Sequence, residues 1–275
     1  MTFAGEVAWV TGASSGLGVA MAKELAKDGA RLVLSGRNRE ALDAVAKDCG
    51  AEALVLPFEA TDYAAAEAAA AQAWDWATAR SGGIDLLINN AGISQRSVAL
   101  ETAFPVYERI VAVDLLAPIA LTQAVLPKMA ARGKGRLGFV SSIAGKVGSP
   151  MRTAYSAAKF GLIGYADALR VEVTGLGLSV HTICPGSVRT NVSRNALTAD
   201  GSARGVSDRN IENGLEPDAI AREIIDAIAA GEREIIAAIG FEKEIGELRR
   251  TPEPLMDRMA QLFEAGYAAK MKEGA

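Results

Sequence analysis

The stretch Val7–Asn38, VAWVTGASSGLGVAMAKELAKDGARLVLSGRN, decides the fold. Val7–Thr11 is a short apolar run, the mark of a buried strand. TGASSGLG breaks it with glycines at 12, 16 and 18. The residues from Gly18 to Ala30 carry helical spacing, and Gly29 reads as the C-cap. RLVLS, Arg31–Ser35, is apolar again. Strand, glycine turn, helix and second strand make one βαβ unit. Glycines there permit a tight turn and close approach of backbone to a diphosphate. The helix start adds free N–H groups and a partial positive charge. The spacing is G-x-x-x-G-x-G, not the commoner G-x-G-x-x-G, and βα turns also use glycine for structure alone.

Working outward, strands and helices alternate to the end of the chain. The remaining strands are read over 52–58, 84–90, 135–142, 178–186 and 233–240. Helices are read between them, including an Ala-rich one over 63–80. A long helix over 104–132 should bend at Pro118. Another, over 153–176, carries Tyr155 and Lys159 four residues apart, hence on one face. The strands are continuous apolar runs, as in a parallel sheet covered on both sides. The expected fold is α/β: a single-domain, doubly wound, Rossmann-type parallel β-sheet with helices on both faces, spanning 1–275. The polar stretch around 191–215 is expected to be a substrate lid, and 241–273 a C-terminal helical extension.

The 275 residues are 50% hydrophobic and 5% aromatic, with net charge −4. With a pI near 5.3, this argues against a nucleic-acid surface. Cys49 and Cys184 form no CxxC pair. His181, the single histidine, sits in a strand, so no zinc set is expected. No basic leader and no apolar run of about twenty residues is seen. The expectation is a cytoplasmic protein with no membrane partner.

Strand two ends Gly36-Arg37-Asn38, where a dinucleotide fold often places an acid for the ribose 2′-hydroxyl. Arginine instead pairs with a 2′-phosphate, and Ser14 and Ser15 add hydroxyls, so NADP(H) is favoured over NAD. The other reading of Arg37 is a solvated surface charge.

Together these residues resemble the short-chain dehydrogenase/reductase family. The matches are TGASSGLG at 11–18, NNAG at 89–92, Ser142, YSAAK at 155–159 and PGSVRT at 185–190. ISQRS after NNAG, and the run after Thr190, are most similar to the member-seven, seven-B-like branch, whose frequent N-terminal anchor is not expected here. The resemblance implies an oxidoreductase interconverting a carbonyl and a secondary alcohol. Tyr155 would be general acid/base, Lys159 the cation that favours its phenolate and holds the nicotinamide ribose, and Ser142 the donor to the substrate oxygen. Gly12, Ser14, Ser15, Gly16, Leu17, Gly18, Gly36, Arg37 and Asn38 would bind the nucleotide. So would Glu59 and Ala60, in place of the usual Asp-Val. Asn90, Ala91 and Gly92 would wall the adenine ribose; Pro185, Gly186, Val188 and Thr190 would meet the nicotinamide end. Ser141 is expected to be structural.

One departure is larger. Asp114 stands where the family has its fourth catalytic residue, an asparagine. A carboxylate near Lys159 favours its charged form and slows proton relay, so an active but slower enzyme is expected. The substrate cleft should be lined by Ile93, Ile143, Val147, Met151 and Val192, suiting an apolar carbonyl or alcohol. Gln95, Arg96 and Lys146 either bind an acidic tail or are simply exposed. Leu255, Met259, Leu262, Phe263 and Tyr267 share one helical face, read as a packed lid or subunit contact. The family's habit implies a homodimer or homotetramer through the two long helices. Competing readings are a 3-oxoacyl-thioester reductase and an NADP-binding sensor or scaffold with weakened catalysis.

Overall fold

A computed structural model describes residues 2–250, with Pro254, Asp257, Ala260 and Gln261. Seven parallel strands form one sheet: β1 (Val7–Thr11), β2 (Arg31–Gly36), β3 (Ala53–Pro57), β4 (Leu86–Asn89), β5 (Gly135–Val140), β6 (Leu178–Ile183) and β7 (Glu234–Ile235). Their order is β3-β2-β1-β4-β5-β6-β7. The order reverses between β1 and β4, where Trp9 pairs with Leu87 and Val10 with Ile88. A crevice opens beyond the strand ends at such a point.

Alternation along each strand feeds two cores. Ala8, Val10, Leu32, Leu34, Leu86 and Ile88 face α1 (Gly16–Lys27), α2 (Arg39–Cys49) and α8 (Pro217–Ala229). Val7, Trp9, Val33, Leu87, Leu137 and Phe139 face α3 (Tyr63–Ser81), α5 (Ala117–Arg132) and α6 (Thr153–Val173). His181 is buried in β6; its ring nitrogens meet Glu232 O at 2.6 Å and Ser179 Oγ at 2.9 Å. Both cysteines are free thiols.

The long helix runs without a gap from Phe104 to Arg132, with a π-turn just ahead of Pro118. α4 (Phe104–Val111) passes into a π-turn at Ala112–Leu116, and α5 follows. The Ala117 N–H bonds Ala112 O, five residues back. Pro118 has no N–H, and its ring clashes with the carbonyl four residues earlier in a regular helix. That carbonyl belongs to Asp114, so the wider turn falls one turn ahead of the proline. The stretch Phe104–Arg132 is long and apolar enough to cross a membrane by length and composition. Leu121, Val125 and Met129 within it pack in the sheet's core.

The last strand is shorter than the 233–240 expected. Ala238 N turns back onto Ile236 O at 3.1 Å, and Gly240 opens α9 (Gly240–Leu248). The 191–215 segment is a loop tied by bridges Gln95–Leu197 and Val188–Leu215, with a short helix α7 (Arg209–Glu212). The apolar face expected over Leu255–Tyr267 lies outside the described residues.

Candidate active site

The C-terminal ends of β1, β2, β4, β5 and β6 open on one cleft of about 1010 Å³. That is the size of a cofactor-plus-substrate site.

At its floor, Gly12 adopts φ +64°, and a Cβ there would lie 2.9 Å from Ala91 Cα. A Cβ at Gly18 would collide with the Gly12 carbonyl. The turn therefore needs both glycines. Ser15 is the N-cap of α1 but makes no side-chain cap bond. Gly16 and Leu17 line the cleft, so the first turn of α1 meets it without a competing side-chain cap.

Thr11 has a role beyond its place in the motif. Its hydroxyl accepts from Asn90 N and Ala91 N, each at 3.0 Å, and Asn90 Nδ2 returns a bond to Thr11 O at 2.9 Å. This clasp fixes the ends of β1 and β4 at the reversal. A threonine closing strand one, with NNAG later in the chain, was the available signal.

Ser14, Ser15, Gly36, Arg37, Glu59 and Ala60 line the outer end. Arg37 Nη1 is 3.8 Å from Glu59 Oε2, both side chains well exposed. Asn38 does not line the cleft. It caps α2, accepting from Ala41 N at 3.1 Å.

Ser142, Tyr155 and Lys159 all line the inner part. Lys159 Nζ sits 5.7 Å from the Tyr155 ring centre and donates to Val140 O at 2.9 Å. Ser142 is extended at the end of β5, and its Oγ accepts from Ala144 N at 3.1 Å. Ser141 Oγ donates to Lys159 O at 3.0 Å, holding α6 against β5. Pro185, Gly186, Val188 and Thr190 border the same space.

Asp114 is fully buried and does not reach the cleft surface. Its Oδ1 accepts from Ile93 N at 2.8 Å. Its Oδ2 has no hydrogen-bond partner among the described residues and stands 3.7 Å from Lys159 Nζ, beyond hydrogen-bond reach. Burial pushes this carboxyl up to about 6, against the pull of Lys159 and the Ile93 N–H. Asp114 therefore acts on the site only through Lys159 and the Ile93 backbone.

The apolar lining holds Ile93, Ile143 and Val192 as expected, with Leu197, Ile211 and Ile245 added; Val147 and Met151 are not in it. Gln95 is buried and accepts from Ala154 N at 2.9 Å, and Lys146 is buried against Glu234. Both are structural, and neither is exposed nor open to an acidic tail. Arg96 does line the cleft. Arg152 lines it too, from the 143–152 stretch expected at the cleft, and Glu242 lines it unforeseen. Glu242 of α9 accepts from Ser187 N at 2.7 Å and Ser187 Oγ at 2.8 Å.

A doubly wound sheet with a glycine turn at its reversal point defines a dinucleotide-binding protein. The short chain dehydrogenase model matches residues 6–201, and the chain belongs to the short-chain dehydrogenase/reductase family of oxidoreductases. It is 38% identical over 242 residues to the dehydrogenase/reductase SDR family member 7B of Danio rerio, covering 85% of this chain and 77% of that one. A metagenomic short-chain oxidoreductase solved in complex with NADP is 29% identical, with TM-score 0.71, over 86% of this chain and 98% of that one. A Burkholderia phymatum member solved with NAD has TM-score 0.78 at 23% identity, over 92% and 98%, a likeness of fold alone. Proteins of this family bind a nucleotide cofactor and a small-molecule substrate.

Proposed function

We propose that the protein is an NADP(H)-preferring oxidoreductase that interconverts a carbonyl and a secondary alcohol, with Tyr155 as general acid/base. One observation carries this. Ser142, Tyr155 and Lys159 open on the same cleft as the start of α1, which has no side-chain cap, and Arg37.

The residues suit a dinucleotide. Glycines 12 and 16 and the start of α1 offer backbone donors to a diphosphate. Ser14 and Arg37 offer charge-assisted bonds to a 2′-phosphate. Ala60 and Asn90–Gly92 would border the adenosine; Pro185–Thr190 would border the nicotinamide. When bound, the nicotinamide supplies or accepts the hydride. The Tyr155 phenol donates the proton to the nascent alkoxide, or takes it back in oxidation. Lys159, anchored to Val140 O, holds its ammonium beside the phenol ring. Ser142 donates its hydroxyl hydrogen to the substrate oxygen and orients it. Arg37 is free to exchange partners, since an exposed ion pair such as that with Glu59 is weak.

Fluorescence titration with NADPH and NADH, using wild type and Arg37→Ala, tests the reading. Tighter NADPH binding that is lost in the variant supports it. Equal affinity for the two cofactors would remove the NADP preference, and binding of neither would overturn the whole reading.

A further inference from the structure

Arg96, Arg152 and Arg204 converge on a single carboxylate, Asp208. Arg96 Nε donates to Asp208 Oδ2 at 2.6 Å, Arg152 Nη2 stands 3.6 Å from that oxygen, and Arg204 pairs with Oδ1. The Asp208 backbone N–H is taken by Ser193 Oγ at 3.0 Å. Burial alone would raise this carboxyl, but Arg204 and Arg96 hold it well below the usual carboxylate range. Three guanidiniums against one ionised carboxylate leave a local excess of positive charge.

That excess faces the cleft. Arg96 and Arg152 line it, as Tyr155 does; Arg204 does not. The Arg96 side chain is only 7% exposed, so solvent does little to screen it. Burial, then the like charge of Arg152, hold its guanidinium below the ordinary arginine value, and Tyr155 is close enough to act on it. Arg152 makes no side-chain hydrogen bond among the described residues and precedes Tyr155 by three positions at the mouth of α6. Glu242, an acid on the same lining, is engaged by Ser187.

We propose that Arg152 and Arg96 form an oxyanion subsite, so that the substrate is a carbonyl compound bearing a carboxylate or phosphate as well as an apolar part. This rests on the carbonyl-reductase reading above. The Arg152 guanidinium offers a fork that matches either oxyanion with two parallel bonds, while Arg96, whose Nε serves Asp208 and whose Nη1 serves Ser94 Oγ and Gln95 O, adds its charge and its Nη2. The apolar part lies along Ile93, Ile143 and Val192, and the carbonyl meets Tyr155.

The test compares matched pairs on the NADPH-loaded enzyme: a long-chain oxo acid against its methyl ester, and a phosphorylated ketone against its dephosphorylated form. The wild type should favour the anion in kcat/KM by about tenfold or more, the worth of one charged hydrogen bond. The acid pair and the phosphate pair show which oxyanion is preferred. In Arg152→Gln the anionic-to-neutral ratio should fall toward one. A wild-type ratio of one or less in both pairs, or a ratio untouched by Arg152→Gln, overturns the subsite. Arg96→Lys, the second variant, keeps the charge at this buried position and should lose less of the anionic preference than Arg152→Gln; a larger loss than in Arg152→Gln would overturn Arg152 as the oxyanion fork. If no carbonyl is reduced, the reductase reading fails and the subsite is judged by binding. Dodecanoate or inorganic phosphate should raise the wild-type melting temperature more than that of Arg152→Gln, while dodecanol should not discriminate. Equal shifts would sink it.

Discussion

Asp85 and Asp114 are buried carboxylates at opposite ends of the sheet, and their surroundings differ in kind. Asp85, just before β4, accepts from Val7 N at 2.9 Å, Arg132 at 2.7 Å and Lys134 at 2.9 Å. Burial raises it, yet these donors outweigh burial and hold it below the usual carboxylate value. Asp114, beyond the other end, has one oxygen without a hydrogen-bond partner among the described residues and is raised to about 6. The lower end satisfies its charge and stabilises the fold. The upper end leaves charge incompletely met, as functional sites do.

The sharpest way to break this contrast is at the upper end. Tyr155→Phe should lower kcat by about a hundred- to ten-thousandfold while leaving the melting temperature unchanged. Retention of most turnover in a coupled NADPH assay would remove Tyr155 from the chemistry. At the lower end, Asp85→Ala should cost about 3–5 kcal/mol in urea unfolding, because Arg132 and Lys134 lose their buried partner. Activity per folded molecule should not change. Because the folded value of Asp85 is depressed, its contribution is full above the unfolded value near pH 4. It is lost as pH falls through the lower folded value.

Asp114 carries the opposite sign. Its folded value exceeds its unfolded one, so its ionisation destabilises the fold as pH rises from about 4 through 6. Asp114→Asn should therefore gain at most about 3 kcal/mol at pH 8, from roughly two units at 1.4 kcal/mol each. The gain should vanish below pH 4. The wild-type kcat/KM profile should carry an acid limb near pH 6 that Asp114→Asn lacks. An unchanged pH profile would show that Asp114 is silent in turnover. The smallest effect is expected at the exposed rim: Arg37→Ala should lower the NADPH-over-NADH preference about tenfold, read by titration, with no change in melting.

The first six strands were legible to within two or three residues, because continuous apolar runs bounded by glycine or proline have few other uses. The glycine turn was legible for the same reason, since its constraints lie in contiguous backbone. Asp114 was visible as an oddity, but its complete burial was not, because that depends on a π-turn. The pairing of Arg96 with Asp208 spans 112 positions. Nothing local distinguishes either residue from a surface charge. Glu242 hid similarly, inside a stretch whose helix begins where a strand was expected to end.

The bond from Ser187 N–H to Glu242 closes a ring across a separation of 55 positions. The 191–215 loop lies within that ring and leaves from the turn to which α9 returns. Closing a flexible ring has an entropic cost that grows with its length. The freedom of the loop walling the cleft is thus set partly by a side chain outside it. Cutting that tie would widen the loop's ensemble without touching a loop residue.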